Sequence, residues 1–329
     1  MELALSEEQE QLAATVRSLL AKQADPRVEQ YDAALWRTLC EQIGVAALAV
    51  PEDHDGVGAT LLETAVVLEE LGRALVPSPL LSSLVTTEVL LAAADDEAQA
   101  RLLPRIAAGE VAAYADLGDG EPAEEAVDVL DGDLATVLVV AAGGDLYEVD
   151  PATARRTWTP TMDQTLRLAR VSVDLGSATR IGPAGPARER AAIVGAVGVA
   201  ALQVGTAARG LEMTVAYSKE RVQFGRPIGS FQALKHRMAD LLVLVEMARS
   251  ASWAASYAVA ADTPGAAQLA HVAASYCTGA LEKVAAETVQ LHGGIAITWE
   301  HDAHLVLKRA HSLGHLFGSA HEHRRLVEL

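Results

Sequence analysis

One segment of the sequence, residues 217–232, groups side chains that could bind an anionic ligand. Arg221 and Gln223 lie in a stretch rich in glycine and proline, and Phe231 and Gln232 follow it. An arginine offers a planar fork of N–H donors that suits two phosphate oxygens. The pattern predicts a helix that ends near Arg221, then a turn, and then a new helix that begins near residue 230.

A second segment, some 70 residues later, could bring main-chain donors to the same ligand. Gly293 and Gly294 let backbone amides approach a ligand without a Cβ in the way, and Gln290 can hydrogen-bond to it. Taken singly, each feature also has a structural interpretation. Arg221 could cap the end of a helix, and the glycine pair could simply stop one.

The elements that must position these segments are mainly helical. Residues 1–110 have helical periodicity broken at glycines, whereas residues 111–186 have short apolar runs between Gly, Asp and Pro clusters, which is a strand-and-turn pattern. Beyond them, the Ala/Leu/Val-rich stretches predict long antiparallel helices in a bundle. We therefore predict a mainly α protein with three domains: an N-terminal helical domain (1–110), a reduced middle β domain (111–186) and a C-terminal four-helix bundle (187–329).

Bulk properties exclude several classes of function. The 329-residue chain has a formal net charge of −18, which argues against a nucleic-acid partner. Its two cysteines, Cys40 and Cys277, cannot form a disulfide framework. No signal peptide is recognisable, and the alanine-rich run 191–208 is better explained as a packed helix than as a membrane span. We expect a cytoplasmic protein without a membrane partner.

The two segments together resemble a known family. Residues 217–232 have the sequence Tyr-Ser-Lys-Glu-Arg-Val-Gln-Phe-Gly-Arg-Pro-Ile-Gly-Ser-Phe-Gln, and residues 290–295 have Gln-Leu-His-Gly-Gly-Ile, followed by Thr-Trp-Glu-His-Asp at 298–302. Both look like signatures of the acyl-CoA dehydrogenases, and their spacing also agrees. The loop at 50–58 resembles the N-terminal domain of that family, so the resemblance covers the whole chain in order.

The resemblance implies an FAD-dependent oxidoreductase that desaturates an acyl-CoA thioester at its α,β bond. It implies that these segments reach a flavin held mainly by a neighbouring subunit, with Arg221 at the FAD diphosphate. The residues that it places in contact with the cofactor are Arg221, Gln223, Phe231, Gln232, Gln290, Gly293 and Gly294.

The catalytic base of the family has no convincing counterpart. In most members, a glutamate 27 residues after the position of Gln290 takes the α-proton, and here that position is Phe317. In some members the base lies earlier, at a position that here is Gly195. Glu189 and Glu322 are weak candidates nearby. We therefore predict that the chain lacks the base.

The middle segment also departs from the family pattern. Residues 113–122 form a degenerate version of the flavin-bed segment, and Trp158 does not lie in a convincing copy of the tryptophan-centred strand. These losses resemble a variant of the family in which two different chains form an α₂β₂ complex. The resemblance implies a second acyl-CoA dehydrogenase chain as partner and a bulky acyl-CoA substrate, such as an intermediate of steroid degradation. An electron-transfer flavoprotein is the electron acceptor that the family leads us to expect.

Three alternatives stay open at the level of sequence. They are a self-sufficient homotetramer whose base is Glu189 or Glu322, a flavin monooxygenase or nitroalkane-oxidase-like protein on the same fold, and a scaffold that has lost flavin.

Other groups of polar residues do not need a function. His301 with His304, or His311 with His315, have helical spacing for a metal, but packing histidines explain them better and no metal site is predicted. The acidic stretch 121–133 and the pair at 69–70 are expected at the surface.

Overall fold

The computed structural model describes residues 5–28 and 31–327. Most of these residues are helical. The helices are α1 (Glu7–Gln23), α2 (Ala33–Ile43), α3 (Leu61–Ala74), α4 (Leu80–Ala93), α5 (Asp96–Ala107), α6 (Ala184–Glu220), α7 (Gln232–Ala260), α8 (Ala266–His292), α9 (Ala303–Leu313) and α10 (Ala320–Leu326). Short 3₁₀ turns connect some of them, including Gly293–Ile297 directly after α8.

The strands lie between α5 and α6, except for a short hairpin after α6. They are β1 (Ala112–Asp116), β2 (Ala126–Leu130), β3 (Val137–Ala142), β4 (Asp145–Val149), β5 (Arg155–Thr159), β6 (Leu168–Ser172), β7 (Thr179–Pro183), β8 (Val222–Gln223) and β9 (Arg226–Pro227). One sheet has the order β1-β3-β4-β7, with β1 and β3 parallel, and a second has the order β2-β6-β5. The predicted class, mainly α with a small β region, is confirmed.

By contacts between its residues, the chain divides into two compact units. We call the first the bundle unit, and it comprises Met1–Lys22, Leu68–Val76 and Ala196–Leu329. The second, the sheet unit, comprises Gln23–Val67 and Pro77–Gly195. The finer division into three domains at residues 110 and 186 stays a prediction.

Strand β3 lies at the centre of the core of the sheet unit and is buried at all six of its residues. Leu138 and Val140 on one face of β3 and Val129 on β2 are almost fully buried in one apolar cluster with small alanines from β1. Val137 and Val139, on the opposite face of β3, are also buried, as in a strand that is covered on both faces.

Local signals set several helix boundaries where the sequence predicts them. Asp32 caps α2 by accepting hydrogen bonds from the backbone N–H groups of residues 34 and 35, and Gly44 ends the helix in the left-handed region at φ 78°. The long helices α6, α7 and α8 lie where the Ala/Leu/Val-rich stretches predict them.

Gly72 does not stop its helix, contrary to the interpretation of glycines as helix ends. Helix α3 continues through it to Ala74, because Gly72 is a packing residue. A Cβ on Gly72 would overlap the backbone carbonyl of Leu202 on α6, and a Cβ on Gly205 of α6 would overlap the carbonyl of Glu69 on α3. Glycines on both helices therefore let α3 and α6 cross at backbone contact within the bundle unit.

The two acidic groups expected at the surface each contain one buried residue. Glu70 is only 3% exposed and accepts a bidentate ion pair from Arg17 of α1, with nitrogen–oxygen distances of 2.6 and 2.8 Å. Asp131, which follows β2, is 5% exposed, and its Oδ2 lies 2.7 Å from the Ser82 hydroxyl oxygen, whereas Glu121, Glu124 and Asp128 of the same stretch are exposed as predicted. The surface prediction was therefore wrong at Glu70 and Asp131, because burial there is compensated by partners far away in the sequence.

Within the described residues, α6 alone is long and apolar enough to cross a membrane. Of its most apolar stretch, 89% is buried inside the protein, as in the central helix of a bundle. Cys277 on α8 is likewise buried, and its thiol donates to the Ala248 carbonyl of α7 at 3.3 Å.

The α3–α6 crossing gives a direct prediction for stability. Gly205→Ala adds a methyl where no space exists, so it should lower the free energy of unfolding by about 3 kcal/mol despite the better helix propensity of alanine. Gly279→Ala on α8 is the control, since an added Cβ there meets no atom within 4 Å, and we expect it to be neutral or stabilising. Urea denaturation of the three proteins measures this, and equal midpoints would contradict the packing role.

Asp131 gives a prediction for pH. Burial raises the pKa of its carboxyl to about 7, although the Ser82 hydroxyl opposes the shift. The folded chain therefore retains a proton that the unfolded chain releases near its ordinary pKa of 3.8. Stability should fall by about 1.4 kcal/mol per pH unit as pH rises from about 4 to 7 and then level off.

Asp131→Asn should remove this component and raise the free energy of unfolding above pH 7. Asp128→Asn is the matched control, because Asp128 shares the positive φ of Asp131 but is exposed. Denaturant titrations from pH 4.5 to 8 test it. The same pH dependence in wild type and Asp131→Asn would show that this carboxyl does not carry the effect.

Candidate functional site

The first predicted segment forms a tight hairpin at the end of α6. Strands β8 and β9 pair, and Phe224 and Gly225 make the turn between them with φ angles of 53° and 75°. Two successive positive φ values are those of a type I′ turn, in which glycine is favoured at the second position. The turn projects the Phe224 side chain outward, 91% exposed.

A cation–π contact and an edge-on ring contact join the hairpin to the residue that follows it. The Arg226 guanidinium carbon lies 4.0 Å from the centre of the Phe231 ring, and the Phe224 ring meets Phe231 edge-on at 6.2 Å. Gly229 permits this return of the chain, because a Cβ there would lie 2.8 Å from the Ser218 hydroxyl oxygen.

Arg221 lies at the base of the hairpin with its side chain exposed. Its backbone N–H donates to the Tyr217 carbonyl of α6 at 2.9 Å, and its own carbonyl accepts from the Ile228 N–H at 2.8 Å. The backbone is thus fixed, while the guanidinium has no ion pair among the described residues. Gln223 is also exposed, and its amide donates to the adjacent Val222 carbonyl at 2.9 Å.

The second predicted segment ends α8. Gln290 is exposed on the last helical turn, and Gly293 ends the helix at φ 65° and ψ −144°, a conformation open mainly to glycine. An added Cβ on Gly293 or Gly294 would meet no atom of this chain within 4 Å. The space beside these two backbones is therefore open to a ligand or to another chain.

Ring stacking brings the two segments together. Tyr217, one helical turn before Arg221, stacks on His292, the residue directly before Gly293, with ring centres 4.5 Å apart. Neither ring was predicted from the sequence to be part of the site. Both lie inside the two predicted segments, which could have indicated them, but only the structure shows that the two rings contact each other. Gln232 begins α7 beside the hairpin, with its amide nitrogen 3.5 Å from His236 Nε2.

Phe317, at the position of the family base, lies elsewhere in the bundle unit. It forms a turn after α9 at φ 53°, next to Gly318 at φ 112°. The His323 ring packs against this turn and contacts His271 in the first third of α8, with 3.0 Å between the two Nδ1 atoms. Along α8, His271 is about 30 Å from the glycine pair. The position of the base and the Arg221 segment are thus far apart within one chain.

The two weak candidates for a base have geometries that do not favour proton abstraction. The Glu322 carboxylate accepts from the Ser319 N–H at 2.7 Å and from its hydroxyl at 2.8 Å in a capping box at the start of α10. Hydrogen bonds from the Ser319 backbone and side chain lower the pKa of Glu322, the opposite of what a base for a carbon acid needs. Glu189 is exposed near the start of α6, in the sheet unit.

The degenerate segment of the sheet unit, residues 113–122, is held by hydrogen bonds and ion pairs from Arg188 of the same chain. Arg188 of α6 makes ion pairs with Asp116 and Asp119 and donates to the carbonyls of Gly118 and Gly143 at 2.7 and 2.8 Å. Acceptors of this loop at Asp116, Asp119 and Gly118 are therefore used within the chain, whereas the buried Tyr114 hydroxyl has no hydrogen-bond partner among the described residues. The Trp158 ring on β5 is 40% exposed and has the Arg167 guanidinium carbon 5.4 Å from its centre.

The histidines considered for a metal take part in ring contacts. The His311 and His315 rings meet edge-on at 5.3 Å, and His304 meets Trp299 edge-on at 4.7 Å. Across residues 5–28 and 31–327, His, Cys, Asp and Glu side chains form no group of three or more that could hold a metal ion.

Comparisons with known proteins identify the family. The model of the acyl-CoA dehydrogenase N-terminal domain matches residues 6–110, and that of the C-terminal domain matches residues 189–328. A relative from Mycolicibacterium smegmatis described as acyl-CoA dehydrogenase IpdE2 is 44% identical, over 98% of this chain and 99% of the relative. An IpdE2 from Mycobacterium tuberculosis is 45% identical, over 98% and 96%.

Solved structures agree with this result. The ChsE4–ChsE5 complex from Mycobacterium tuberculosis contains a chain similar to this one with a TM-score of 0.89 and 25% identity, over 99% of this chain and 98% of that chain. A variant of the Tcur3481–Tcur3483 steroid ACAD gives a TM-score of 0.84 and 27% identity, over 98% and 96%. The chain belongs to the acyl-CoA dehydrogenase family, which is a family of oxidoreductases with FAD as cofactor.

The residues present fit one part of an FAD site. An exposed arginine without a carboxylate partner suits a diphosphate, and the open backbone of Gly293 and Gly294 is a cradle that a Cβ would fill. In the degenerate loop of the sheet unit, Arg188 occupies the Asp116 carboxylate and the Gly118 carbonyl, so these acceptors are not available to a ligand.

The open space at Gly294 leads to a prediction that separates ligand binding from folding. Gly294→Ala should leave the free energy of unfolding unchanged within about 0.5 kcal/mol, because the new methyl meets nothing in this chain. It should weaken FAD retention by the assembled enzyme about tenfold by filling the cradle. Gly185→Ala, with an equally unobstructed Cβ in the sheet unit, is the control. Wild-type FAD content in Gly294→Ala would contradict a ligand at this backbone.

Proposed function

We propose that this chain is the subunit of a heteromeric FAD-dependent acyl-CoA dehydrogenase that completes a flavin site carried mainly by a second, different acyl-CoA dehydrogenase chain. The assembly would be an α₂β₂ heterotetramer that desaturates an acyl-CoA thioester. The observation that carries the proposal is that the exposed Arg221 and the open Gly293–Gly294 backbone belong to two segments that meet at the Tyr217–His292 ring contact.

The outward direction of these groups supports a site formed in trans. A guanidinium that served this chain alone would normally pair with a carboxylate, and many arginines of this acidic protein do, such as Arg17 with Glu70 and Arg188 with Asp116. The guanidinium N–H donors of Arg221 have no ion-pair partner among the described residues, so they are available to a ligand or to another chain. The exposed Phe224 at the tip of the hairpin is equally suited to contact a second chain.

The rest of the catalytic equipment supports a partner that supplies it. A desaturation needs a carboxylate at the α-carbon with its basicity raised, usually by partial burial. Phe317 cannot accept a proton, Glu322 is a helix cap and Glu189 is exposed. We infer that the base and the main flavin bed belong to the partner chain.

The similar structures support both the assembly and the substrate class. Two of them are complexes of two differently named chains, ChsE4–ChsE5 and Tcur3481–Tcur3483, and the second is described as a steroid ACAD. By extension, we propose a bulky, steroid-derived acyl-CoA as the substrate of the complex. An electron-transfer flavoprotein as acceptor and a cytoplasmic location complete the proposal.

When bound, FAD would accept the hydride that leaves the β-carbon of the acyl group. The contribution of this chain is to binding and orientation. Arg221 would neutralise diphosphate oxygens, and the open backbone at Gly293 and Gly294 would let the cofactor approach closely, with the Gly293 N–H still bonded to the Val289 carbonyl. Gln223, Gln232 and Gln290 are exposed amides placed to add hydrogen bonds, and Phe231 provides the apolar support beneath them.

The experiment that tests the proposal compares the chain alone with the chain co-expressed with a second acyl-CoA dehydrogenase chain of the same organism. Visible absorption and native mass are measured for each preparation. We expect a colourless lone chain and a yellow α₂β₂ complex with about one FAD per pair of chains. A lone chain that is yellow and is bleached by an acyl-CoA would instead establish a self-sufficient homo-oligomer.

Arg221→Ala tests whether Arg221 itself binds the FAD of the complex. Loss of charge-assisted hydrogen bonds worth about 1.5–3 kcal/mol should weaken FAD retention by the complex about 10- to 100-fold, with the assembly intact. Arg325→Ala, an exposed arginine on α10, should retain wild-type FAD content. If the two variants hold FAD equally well, Arg221 does not bind the cofactor and a scaffold role is favoured.

A further inference from the structure

Three rings stack where the two predicted segments meet. The His292 ring lies between Tyr217 of α6, with 4.5 Å between ring centres and 28° between planes, and His301, with 4.4 Å and 49°. Tyr217 and His301 meet edge-on at 6.1 Å. His292 is 3% exposed, so the middle of the stack is shielded from water.

The stack connects the two segments of the site. The Tyr217 carbonyl accepts a hydrogen bond from the Arg221 N–H at the last turn of α6, and His292 directly precedes Gly293 in the chain. A shift of one ring against the other would therefore move the base of the hairpin relative to the glycine pair. Offset and edge-to-face aromatic contacts add to the stability that their buried area provides, so the stack can hold such a register.

Hydrogen bonds define the state of one ring nitrogen in each of the two histidines. His292 Nδ1 lies 2.7 Å from the Thr288 carbonyl, which can only accept, so Nδ1 carries the hydrogen. His301 Nδ1 accepts from the Ala303 N–H at 3.1 Å at the start of α9, so this nitrogen presents its lone pair. Protonating His301 at Nδ1 would break that bond, and protonating His292 would place a charge in a buried stack.

The surroundings of His292 oppose its protonation. Burial lowers its pKa, and His301 lowers it further, while hydrogen bonding to the backbone at Thr288 and Met213 offsets part of the effect. The titratable groups that face the ring are Tyr217 and His301, and no described carboxylate acts on it. Because the folded pKa lies below the ordinary 6.5, the neutral stack is fully favourable above pH 6.5 and is lost as pH falls through the folded pKa.

We propose that the Tyr217–His292–His301 stack is a positioning device that holds the Arg221 hairpin and the Gly293–Gly294 backbone in register for the flavin, and that it does so only while His292 is neutral. Tyr217, His292 and His301 are positioning residues, because they act through the two segments. The inference rests on the proposed function and adds a pH dependence that the cofactor contacts themselves do not predict.

The test uses the yellow two-chain complex and measures FAD release by flavin fluorescence from pH 8 to pH 5. His292→Ala removes the stack and should weaken FAD retention about tenfold already at pH 8. His292→Phe keeps a stacking ring that cannot be protonated, so it should retain FAD at pH 8 and release it at a lower pH than the wild type. His321→Phe on α10, an exposed histidine, is the control and should follow the wild-type curve.

Two outcomes would overturn the proposal. One is a His292→Phe complex with the wild-type release curve, and the other is a His292→Ala complex that holds FAD as well as the wild type. If His292→Ala fails to assemble, His292→Phe alone decides, since it preserves ring packing. Arg221→Ala separates this proposal from the proposed function: if it loses FAD while His292→Ala retains it, only the positioning role fails.

Discussion

The close crossing of α3 and α6 is the constraint on which the bundle unit depends. Gly72 and Gly205 bring the two backbones into contact, and a methyl on either would overlap a carbonyl of the other helix. The Thr206 hydroxyl, which donates to the Leu202 carbonyl of its own helix at 2.8 Å, also lies 3.2 Å from the Gly72 carbonyl of α3. Since α6 ends at the Arg221 hairpin, the crossing also sets where the candidate site begins.

Polar groups of the sheet unit and those at the ends of α6 and α8 differ in whether the chain itself provides their hydrogen-bond partners. In the sheet unit, Arg188 donates to acceptors in and beside the loop that resembles a flavin bed, and the buried Asp131 accepts from Ser82. At the ends of α6 and α8, by contrast, the Arg221 guanidinium has no ion pair among the described residues, and the space beside the Gly293 and Gly294 backbones is open. The Gly293 N–H itself donates to the Val289 carbonyl and closes α8, so the donor that folding leaves unused is the guanidinium.

Much of the architecture could be predicted from the sequence because its signals are local. The N-cap at Asp32, the glycine at position 44 and the long apolar stretches define helices that the structure confirms. The prediction failed at Gly72 and at Glu70, where the deciding partners, Leu202 and Arg17, are remote in sequence. Periodicity identifies a helix face, but not which other helix comes close enough to need a glycine or a counter-charge there.

The sequence by itself determined the family, the order of helical and strand regions, and the two segments around Arg221 and Gly293, because long motifs and local caps are written in consecutive residues. Only the tertiary structure decided that Tyr217 and His292 join those segments and that Phe317 lies far from both. Such distances depend on how helices of about 40 Å pack side by side. Residues adjacent in space through that packing are dozens of positions apart along the chain, where no pattern in the sequence connects them.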